Sequence, residues 1–396
     1  MKEQKNYAWP VSISSKEVYV YFLTKVKELK KVLNNRTIMI FGAGIRGTLL
    51  AIILEKEGFR NFFFVDNNKD KMGGAVNGHP ILSFKEACGK NPKPFFLLSM
   101  ESYENVVDQV VEQGFIEGDD YCILNASLYD FYMNEFQRKN ENEILIMGDC
   151  GLTHVPIMDY ETDNLATILK KNLGEDKCKV LAMHGMGINS YYYIFKTYVK
   201  KYGYPKKVVL MTNFDTMTGK QHLLPRSQHY PLLQRIYKYS QNDNKFEEYL
   251  KTVKKRTENF KVEIVSANDP NSYQEQAKNY MRYNYTYRLR ESNENVEYLQ
   301  KLLKLLQNNK VKVMTYIPPV NYEYARELGV PNFEERYKYN VNLLKSIQNE
   351  YDVRILDLSY FLVKEEFATP TTVNETANYA GNRKQAVKII QVINEM

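Results

Sequence analysis

The sequence of 396 residues has few cysteines, no long apolar run and no concentration of charge of one sign. Its 4 cysteines have no CxxC spacing, which favours free thiols in a reducing cytoplasm over a disulfide framework. No apolar run reaches the roughly 18–20 residues of a membrane span, and no apolar segment near residue 1 indicates a signal peptide. We therefore expect a cytoplasmic protein without a membrane span.

The distribution of charge argues against a nucleic-acid partner. Lys and Arg number 54 and Asp and Glu number 47, and the two signs alternate along the chain. A surface for nucleic acid requires clustered Lys and Arg, which the sequence lacks. Tyrosine, in contrast, is abundant at 32 residues, and this side chain suits sugars and other amphipathic ligands.

At about 150 residues per domain, the length predicts two domains, with three as the alternative, and a helix precedes them. In residues 1–35, apolar side chains recur at three- and four-residue spacing from Val18 to Leu33. We expect one amphipathic helix there, beginning after Ser14 or Ser15. Its polar face is mixed in charge rather than basic, which argues against a helix on a membrane surface.

Residues 36–132 predict a small parallel α/β domain whose first strand leads into a glycine turn and a helix. Gly42 permits the tight turn, Gly44 lets a phosphate approach the backbone, and Gly47 permits close packing of the helix. Asp66 follows the second strand, where a carboxylate can accept from ribose hydroxyls. These four residues form a candidate site for a nucleotide or nucleotide-sugar. The alternative is that the glycines serve only the turn and the packing.

The run GAGIRGTLLAIILEKEGF, the segment RNFFFVDNN and the turn NGHPI carry a resemblance over residues 36 to about 125. They resemble the small Rossmann-like domains that precede bacterial sugar acetyltransferases and polysaccharide methyltransferases. The resemblance implies work on surface glycans more than redox chemistry. His79 occupies the variable position of the turn, so we expect it to be a loop residue.

Residues 143–396 predict a second parallel α/β domain, joined to the first by a polar connector at 133–142. A helical, Tyr- and Asn-rich insertion at about 220–309 lies between its third and fourth strands. The predicted strands are Glu143–Met147, Lys179–Met183, Lys207–Met211, Val311–Tyr316 and Val353–Leu358.

The first strand of this domain ends in the turn Gly148–Gly151, which has the sequence GDCG. Such a turn presents the next side chain in the crevice at the carboxyl ends of the strands, so Cys150 is a candidate nucleophile. A helix N-terminus that follows it would lower the pKa of the thiol. The alternative is that Cys150 is a small buried residue without a chemical role.

Five segments in the same order resemble the blocks of the SGNH/GDSL hydrolase family: ILIMGDC, LAMHGMGINSYYYIF, VVLMTNFDTM, VMTYIPPVNYEYAREL and ILDL with TVNETANYAGNRKQA. The resemblance implies a flavodoxin-like sheet and an acyl-ester hydrolase or acyltransferase. Cys150 falls at the serine of the family. Gly185, or Gly187 in an alternative register, falls at the glycine that donates to the oxyanion, and Asn213 falls at the asparagine that does so.

The sequence departs from the family pattern at the catalytic triad. Thr376 stands at the position of the family histidine and Val373 at that of the acid. Threonine accepts no proton near pH 7 and valine orients no base, so the usual mechanism is absent unless other residues replace them.

Four histidines are candidates for the missing base. His184 follows the second strand and is the first candidate, and His154 lies four residues after Cys150. His222 and His229 lie in a later loop, where Arg226 would suit an anionic substrate. Each histidine has the alternative of a structural role. A metal site is a weaker alternative that we do not predict, since no HxH or HxxxH spacing lies on a convincing element. Asp215 is expected to act as an acid or to cap the element after its strand.

These observations predict a carbohydrate-directed acyl esterase or acyltransferase of surface-polysaccharide metabolism, with Cys150 as an atypical nucleophile. The alternative is a catalytically dead protein that binds a sugar or scaffolds polysaccharide biosynthesis. A nicotinamide oxidoreductase is the third hypothesis, and the sequence favours it least. The expected partner is a carbohydrate or another small molecule. The acyl group, the nucleotide and the oligomeric state stay open, and a homo-oligomer is among the alternatives.

Overall fold

The computed structural model describes residues 6–7, 12–13, 16–100, 103–125, 127–156, 163–217, 229–259, 278–279, 281–368 and 376–396. The chain forms two compact units, which we call unit 1 (Met1–Asp130) and unit 2 (Phe131–Met396). Each unit contains a mostly parallel sheet accompanied by helices. The prediction of an α/β protein with two such sheets is therefore confirmed.

The sheet of unit 1 is built from short strands with the order β1-β5-β6-β4-β3-β7-β8. All neighbours in it are parallel except β5 and β6, which form an antiparallel pair that the sequence did not predict. Its strands are β1 (Asn6–Tyr7), β3 (Ile38–Phe41), β4 (Phe62–Val65), β5 (Ala75–Val76), β6 (His79–Leu82), β7 (Phe95–Leu98) and β8 (Tyr121–Ile123). A further short strand of unit 1, β2 (Ser12–Ile13), is not part of this sheet. The helices are α1 (Lys16–Glu28), α2 (Lys30–Leu33), α3 (Ile45–Lys56), α4 (Phe84–Cys88) and α5 (Glu104–Glu112).

The predicted amphipathic helix of residues 1–35 is present but has two parts. Val18, Phe22 and Val26 form the buried face of α1, and Leu33 is buried in α2. The regular helix is interrupted at Leu29, between the last residue of α1 and the first of α2. The predicted cap at Ser14 or Ser15 lies outside the described residues.

Unit 2 has a longer series of elements around its sheet. Its strands are β9 (Ile144–Gly148), β10 (Val155–Pro156), β11 (Cys178–Ala182), β12 (Lys207–Met211), β13 (Lys312–Ile317) and β14 (Val353–Asp357). Helix α6 (Leu128–Gln137) leads into this unit, and a short 3-10 helix spans Lys364–Glu366. The remaining helices are α7 (Cys150–Thr153), α8 (Leu165–Leu173), α9 (Ile188–Tyr202), α10 (Phe214–Met217), α11 (Tyr230–Tyr237), α12 (Asn244–Asn259), α13 (Glu294–Asn308), α14 (Tyr322–Glu327), α15 (Phe333–Gln348) and α16 (Tyr379–Glu395). Across the described ranges, no helix combines the length and apolarity that crossing a membrane requires.

The sheet of unit 2 is wholly parallel and has the strand order β11-β9-β12-β13-β14. Counted along the chain, this is the doubly wound order 2-1-3-4-5. The connections after β9 and after β12 leave the sheet in opposite directions, which creates a crevice at the carboxyl ends of these two strands. Functional side chains of such sheets lie there, so the order of strands locates the candidate site of this unit.

Sequence and structure agree closely on the strands of unit 2. Each of its five predicted strands lies within one residue of an observed one, since Lys207–Met211 is matched fully and Lys179–Met183 is shifted by one position. The insertion at about 220–309 is helical where it is described, in α11, α12 and α13. Buried apolar runs bounded by glycine and polar residues are a strong signal for parallel strands, which explains the agreement.

The predicted connector at 133–142 is wrong for its first half. Helix α6 continues to Gln137, and Met133 and Phe136 are buried within a stretch that is otherwise polar. Lys179, itself fully buried, donates from Nζ to the carbonyl oxygens of Phe136 (3.1 Å) and Arg138 (2.7 Å). Two buried side chains and a lysine from β11 thus fix a helix end whose own sequence suggests a linker.

Candidate functional site

The carboxyl ends of β9, β11 and β12 lie side by side in unit 2. Gly148 at the end of β9 is in register with Ala182 of β11, and Met147 is in register with Leu210 of β12. The residues that follow these three strands include Cys150, His184 and Asn213, all of which the sequence singles out. The fold therefore brings the three predicted residues to one edge of the sheet.

The turn after β9 is tight because its glycines are packed against neighbouring side chains. A Cβ on Gly148 would lie 2.3 Å from Leu152 Cδ1, and a Cβ on Gly151 would lie 2.5 Å from Met211 Cε. Asp149 caps the following turn, since its Oδ1 accepts from the backbone N–H of Gly151 at 2.8 Å. The half-buried Cys150 is thus held at a fixed point in the crevice.

Helix α7, which begins at Cys150, has only four residues. The sequence predicts that a helix N-terminus lowers the pKa of the Cys150 thiol. A single turn aligns too few peptide dipoles for a substantial effect, because the macrodipole is the sum over a whole helix. Any activation of this thiol must therefore come from neighbouring side chains.

Two histidines supply such neighbours. The Sγ atom of Cys150 and a ring nitrogen each of His154 and His184 all lie within 4.8 Å of one another. His154 follows α7, and its backbone N–H donates to the carbonyl oxygen of Cys150 at 2.9 Å. Its ring is nearly parallel to that of His184, with centroids 6.0 Å apart and planes inclined by 3°. The structure thus brings together the predicted nucleophile and two of the four candidate bases.

Burial lowers the pKa of two imidazoles near the site, those of His154 and His229. Burial, with a smaller contribution from the charge of His184, lowers the pKa of His154 to about 3. Burial also lowers the pKa of His229 to about 4. His229 is 3% exposed and donates from Nε2 to the carbonyl oxygen of His184 at 2.7 Å, which fixes the position of the turn after β11. A pKa this low makes His154 a weak acceptor for the proton of the Cys150 thiol.

Asn213 is the centre of a buried polar network rather than a donor facing open space. Its Nδ2 donates to Asp149 Oδ2 at 2.5 Å and to Asp215 Oδ1 at 2.7 Å, and its Oδ1 accepts from Thr216 Oγ1 at 2.6 Å. Both amide hydrogens therefore bind carboxylates. For Asn213 to donate to an oxyanion, as the sequence predicts, one of these bonds must break.

The carboxylate of Asp149 is strongly perturbed by its position in this network. Burial raises its pKa from the ordinary value to about 6, against the opposing effect of hydrogen bonds from Gly151, Asn213 and Cys150. Asp149 thus links the thiol of Cys150 to the buried amide of Asn213. Sequence reasoning assigned Asp215 a possible role but gave none to Asp149, although an acid directly before a candidate nucleophile is visible in the sequence.

The remaining residues that the sequence singles out in unit 2 are two glycines, Thr376 and three residues of other segments. Gly185 has a φ of 66°, a left-handed conformation that favours glycine and fits a tight turn after β11. Gly187 precedes α9, where a Cβ would lie 2.8 Å from Asn189 Oδ1. Thr376 is 2% exposed, and its carbonyl oxygen accepts from the backbone N–H of Ala368. His222, Arg226 and Val373 lie outside the described residues.

The glycine turn of unit 1 has the predicted packing role. Gly42 has a φ of 100°, and its N–H donates to the carbonyl oxygen of Val65 at 2.7 Å. A Cβ on Gly47 would lie 1.8 Å from the carbonyl oxygen of Gly42, so helix α3 approaches the turn more closely than any side chain allows. At Gly44 an added Cβ would meet nothing within 4 Å.

Asp66 lies on this glycine turn. Its Oδ2 accepts from the backbone N–H of Ala43 at 2.9 Å and from Lys71 Nζ at 3.2 Å, and Lys71 Nζ also donates to the carbonyl oxygen of Ala43 at 3.1 Å. The carboxylate thus binds a turn amide that a phosphate would otherwise use. A phosphate could bind this amide only by displacing Asp66, which favours the structural alternative for Gly42 and Gly47.

His79 differs from its expected place in a loop. It is the first residue of β6, where its ring stacks on Phe62 with centroids 4.1 Å apart and its Nε2 lies 3.0 Å from Glu55 Oε1. The turn NGHPI therefore continues directly into a strand, and the histidine packs on the sheet.

Comparison with known proteins adds no assignment. No family model matches this chain, and no curated protein matches it. The function must therefore be argued from the fold and from the groups at the carboxyl edge of the unit 2 sheet.

Proposed function

We propose that unit 2 is a thiol-dependent acyl esterase or acyltransferase that acts on a carbohydrate, with Cys150 as the nucleophile. The single observation that carries this proposal is the position of the Cys150 Sγ atom within 4.8 Å of ring nitrogens of His154 and His184, at the carboxyl edge of a parallel sheet. A nucleophile, a base and a backbone turn at this place are the components of acyl transfer.

In the proposed reaction, His184 accepts the proton of the Cys150 thiol as sulfur attacks the ester carbonyl carbon. The tetrahedral intermediate carries an oxyanion, for which the backbone N–H of Gly185 is the proposed donor. Its collapse breaks the bond to the sugar oxygen, which takes the proton from His184. Water then hydrolyses the thioester, or a second alcohol accepts the acyl group. We assign the base to His184 because it lies on the turn directly after β11, beside the turn after β9 that carries Cys150.

Three features support the more specific assignment to an SGNH/GDSL-like protein of surface-polysaccharide metabolism. The strand order 2-1-3-4-5 is the flavodoxin-like order that the resemblance implies. Cys150 and Asn213 follow the first and third strands of this sheet, where the resemblance requires them. Unit 1 has the strand, glycine turn and helix of a Rossmann-like domain, which supports the likeness to domains of glycan-modifying enzymes. A cytoplasmic location belongs to the same proposal.

One observation favours the second candidate, a binding or scaffolding protein with a dead site. Both amide hydrogens of Asn213 donate to buried carboxylates, so only Gly185 is left of the two proposed oxyanion donors. Loss of one such donor typically costs about 10²–10³ in rate, which predicts a slow enzyme under the first proposal. Under the second, the crevice would bind a saccharide without turnover.

Hydrolysis of an activated ester by the metal-free full-length protein tests the two candidates. We expect slow turnover that falls to the buffer rate in Cys150→Ala and falls about 10²–10⁴-fold in His184→Asn, because a positioned base contributes about that much. The control is Cys122→Ala, which removes a half-buried thiol of unit 1 and should leave the rate unchanged. No turnover, combined with saccharide binding measured by calorimetry, would favour the second candidate.

A further inference from the structure

The side chains of Cys150, His154 and His184 together offer the donor atoms of a metal site, which acyl transfer does not need. A thiolate and two imidazoles are the ligand types that zinc and cobalt prefer, and their donor atoms already lie within 4.8 Å of one another. In a tetrahedral site with Zn–S of about 2.3 Å and Zn–N of about 2.0 Å, such atoms are roughly 3.5 Å apart. Rotation of side chains by about 1 Å at the donor atoms would therefore close the site around an ion.

The three candidate ligands lie on elements that backbone pairing and hydrogen bonds hold in place. Cys150 and His154 are four residues apart across the single turn of α7, a spacing that places both side chains on one face. His184 comes from the turn after β11, and β11 is paired with β9 in register up to Gly148. His229 donates to the carbonyl oxygen of His184, which fixes that turn from the other side. A preformed cluster loses little conformational entropy when it binds a metal.

Neighbouring groups also suit a bound cation. Asp149, whose side chain hydrogen-bonds to Cys150, is a carboxylate next to the metal-binding thiol. Carboxylates that hydrogen-bond to ligands orient those ligands and stabilise positive charge at metal centres.

We propose that Cys150, His154 and His184 form a binding site for a divalent transition-metal ion of the zinc class, with a fourth position open to water or a ligand. Binding breaks the S–H bond of Cys150, forms a sulfur–metal bond and releases the proton to solvent, and no electron is transferred. This site goes beyond the proposed function, because it exists whether or not Cys150 also attacks an ester. Metal in the site would make the thiolate a ligand and so block its attack.

Cobalt(II) titration of the chelator-treated full-length protein tests the site, since cobalt replaces zinc and gives visible and near-ultraviolet absorption. We expect one cobalt ion per chain and a thiolate-to-cobalt charge-transfer band. The band should vanish in Cys150→Ser, and cobalt affinity should fall at least tenfold in His154→Asn and in His184→Asn. The matched controls Cys122→Ser and His79→Asn change half-buried residues of unit 1 and should leave the spectrum unchanged.

A second measurement on the unaltered protein is independent of whether the variants fold. Zinc should protect Cys150, but not Cys122, from alkylation, as measured by mass spectrometry of the peptides. Absence of cobalt binding at millimolar concentration, a charge-transfer band that persists in Cys150→Ser, or alkylation of Cys150 that zinc does not slow would each overturn the site. Because ester hydrolysis is assayed on metal-free protein, failure of the metal site and failure of the acyl-transfer proposal are separate results.

Discussion

At the scale of single residues, the main determinant of the unit 2 crevice is how buried polar groups satisfy one another. Asp149, Asn213 and Asp215 are at most 5% exposed, so each hydrogen bond between them replaces one that water would otherwise make. Removal of one member leaves the others desolvated and without a partner, which costs more than the bond itself contributes. The network therefore makes a prediction about stability as well as about catalysis.

We predict that Asn213→Ala lowers the free energy of unfolding by about 3 kcal/mol, because two buried carboxylates lose the same donor. Urea unfolding followed by circular dichroism measures the change. The control is Asn309→Ala, which removes an exposed amide that donates to the carbonyl oxygen of Leu305 and should cost under about 0.5 kcal/mol. An Asn213→Ala protein as stable as the control would show that the network contributes little.

Lys179 gives a residue-scale prediction about pH. Burial lowers the pKa of its ammonium group from 10.5 to about 8, although Nζ donates to two carbonyl oxygens. Between about pH 8 and 10.5 the unfolded chain therefore binds more protons at this position than the folded chain. The stability that Lys179 contributes must rise with pH in that window and be lowest below about pH 8.

The difference in free energy of unfolding between the wild type and Lys179→Met isolates this effect from the titration of the many tyrosines. We expect the difference, wild type minus variant, to increase as the pH is raised from 7.5 to 10. Urea midpoints at a series of pH values measure it. A difference that is constant or that decreases with pH would contradict a lowered pKa for Lys179.

At the scale of elements, the glycine turn of unit 1 depends on the close approach of α3. We predict that Gly47→Ala destabilises unit 1 by about 3 kcal/mol, since its Cβ would overlap the carbonyl oxygen of Gly42. The matched variant Gly44→Ala faces open space and should change stability by under about 1 kcal/mol. Amide hydrogen exchange of β3 reports on unit 1 separately from unit 2. Equal protection factors in the two variants would contradict the steric argument.

The sequence predicts elements better than contacts between them. The strands of unit 2 and the position of Cys150 follow from apolar runs and from the GDCG turn, which are local signals. The bond from Ala43 to Asp66 and the network around Asn213 join residues that lie 23 and 64 positions apart, and no local pattern encodes them. The same holds for α6, whose polar end is fixed by Lys179 from another element. The Cys150–His154 spacing was a visible signal for the cluster of Cys150, His154 and His184.

At the scale of the whole molecule, two mostly parallel sheets each place a glycine-containing turn at the carboxyl end of a central strand. The two turns differ in the side chains that lie on them. In unit 1 the turn is occupied by the side chain of Asp66, whereas in unit 2 the turn presents Cys150 to two histidines. The proposal that unit 2 carries the chemistry follows from this difference, since a thiol and two imidazoles converge at the second turn.

The most direct test of this account is whether an acyl group becomes attached to Cys150. Metal-free protein is mixed with an activated acetyl ester, quenched in acid, digested and analysed by mass spectrometry. The account predicts one acetyl thioester on the peptide that contains Cys150, which forms more slowly in His184→Asn and is absent from the peptide that contains Cys122. Ester hydrolysis that continues in Cys150→Ala, or a Cys150 peptide that stays unmodified while ester is consumed, would contradict the account.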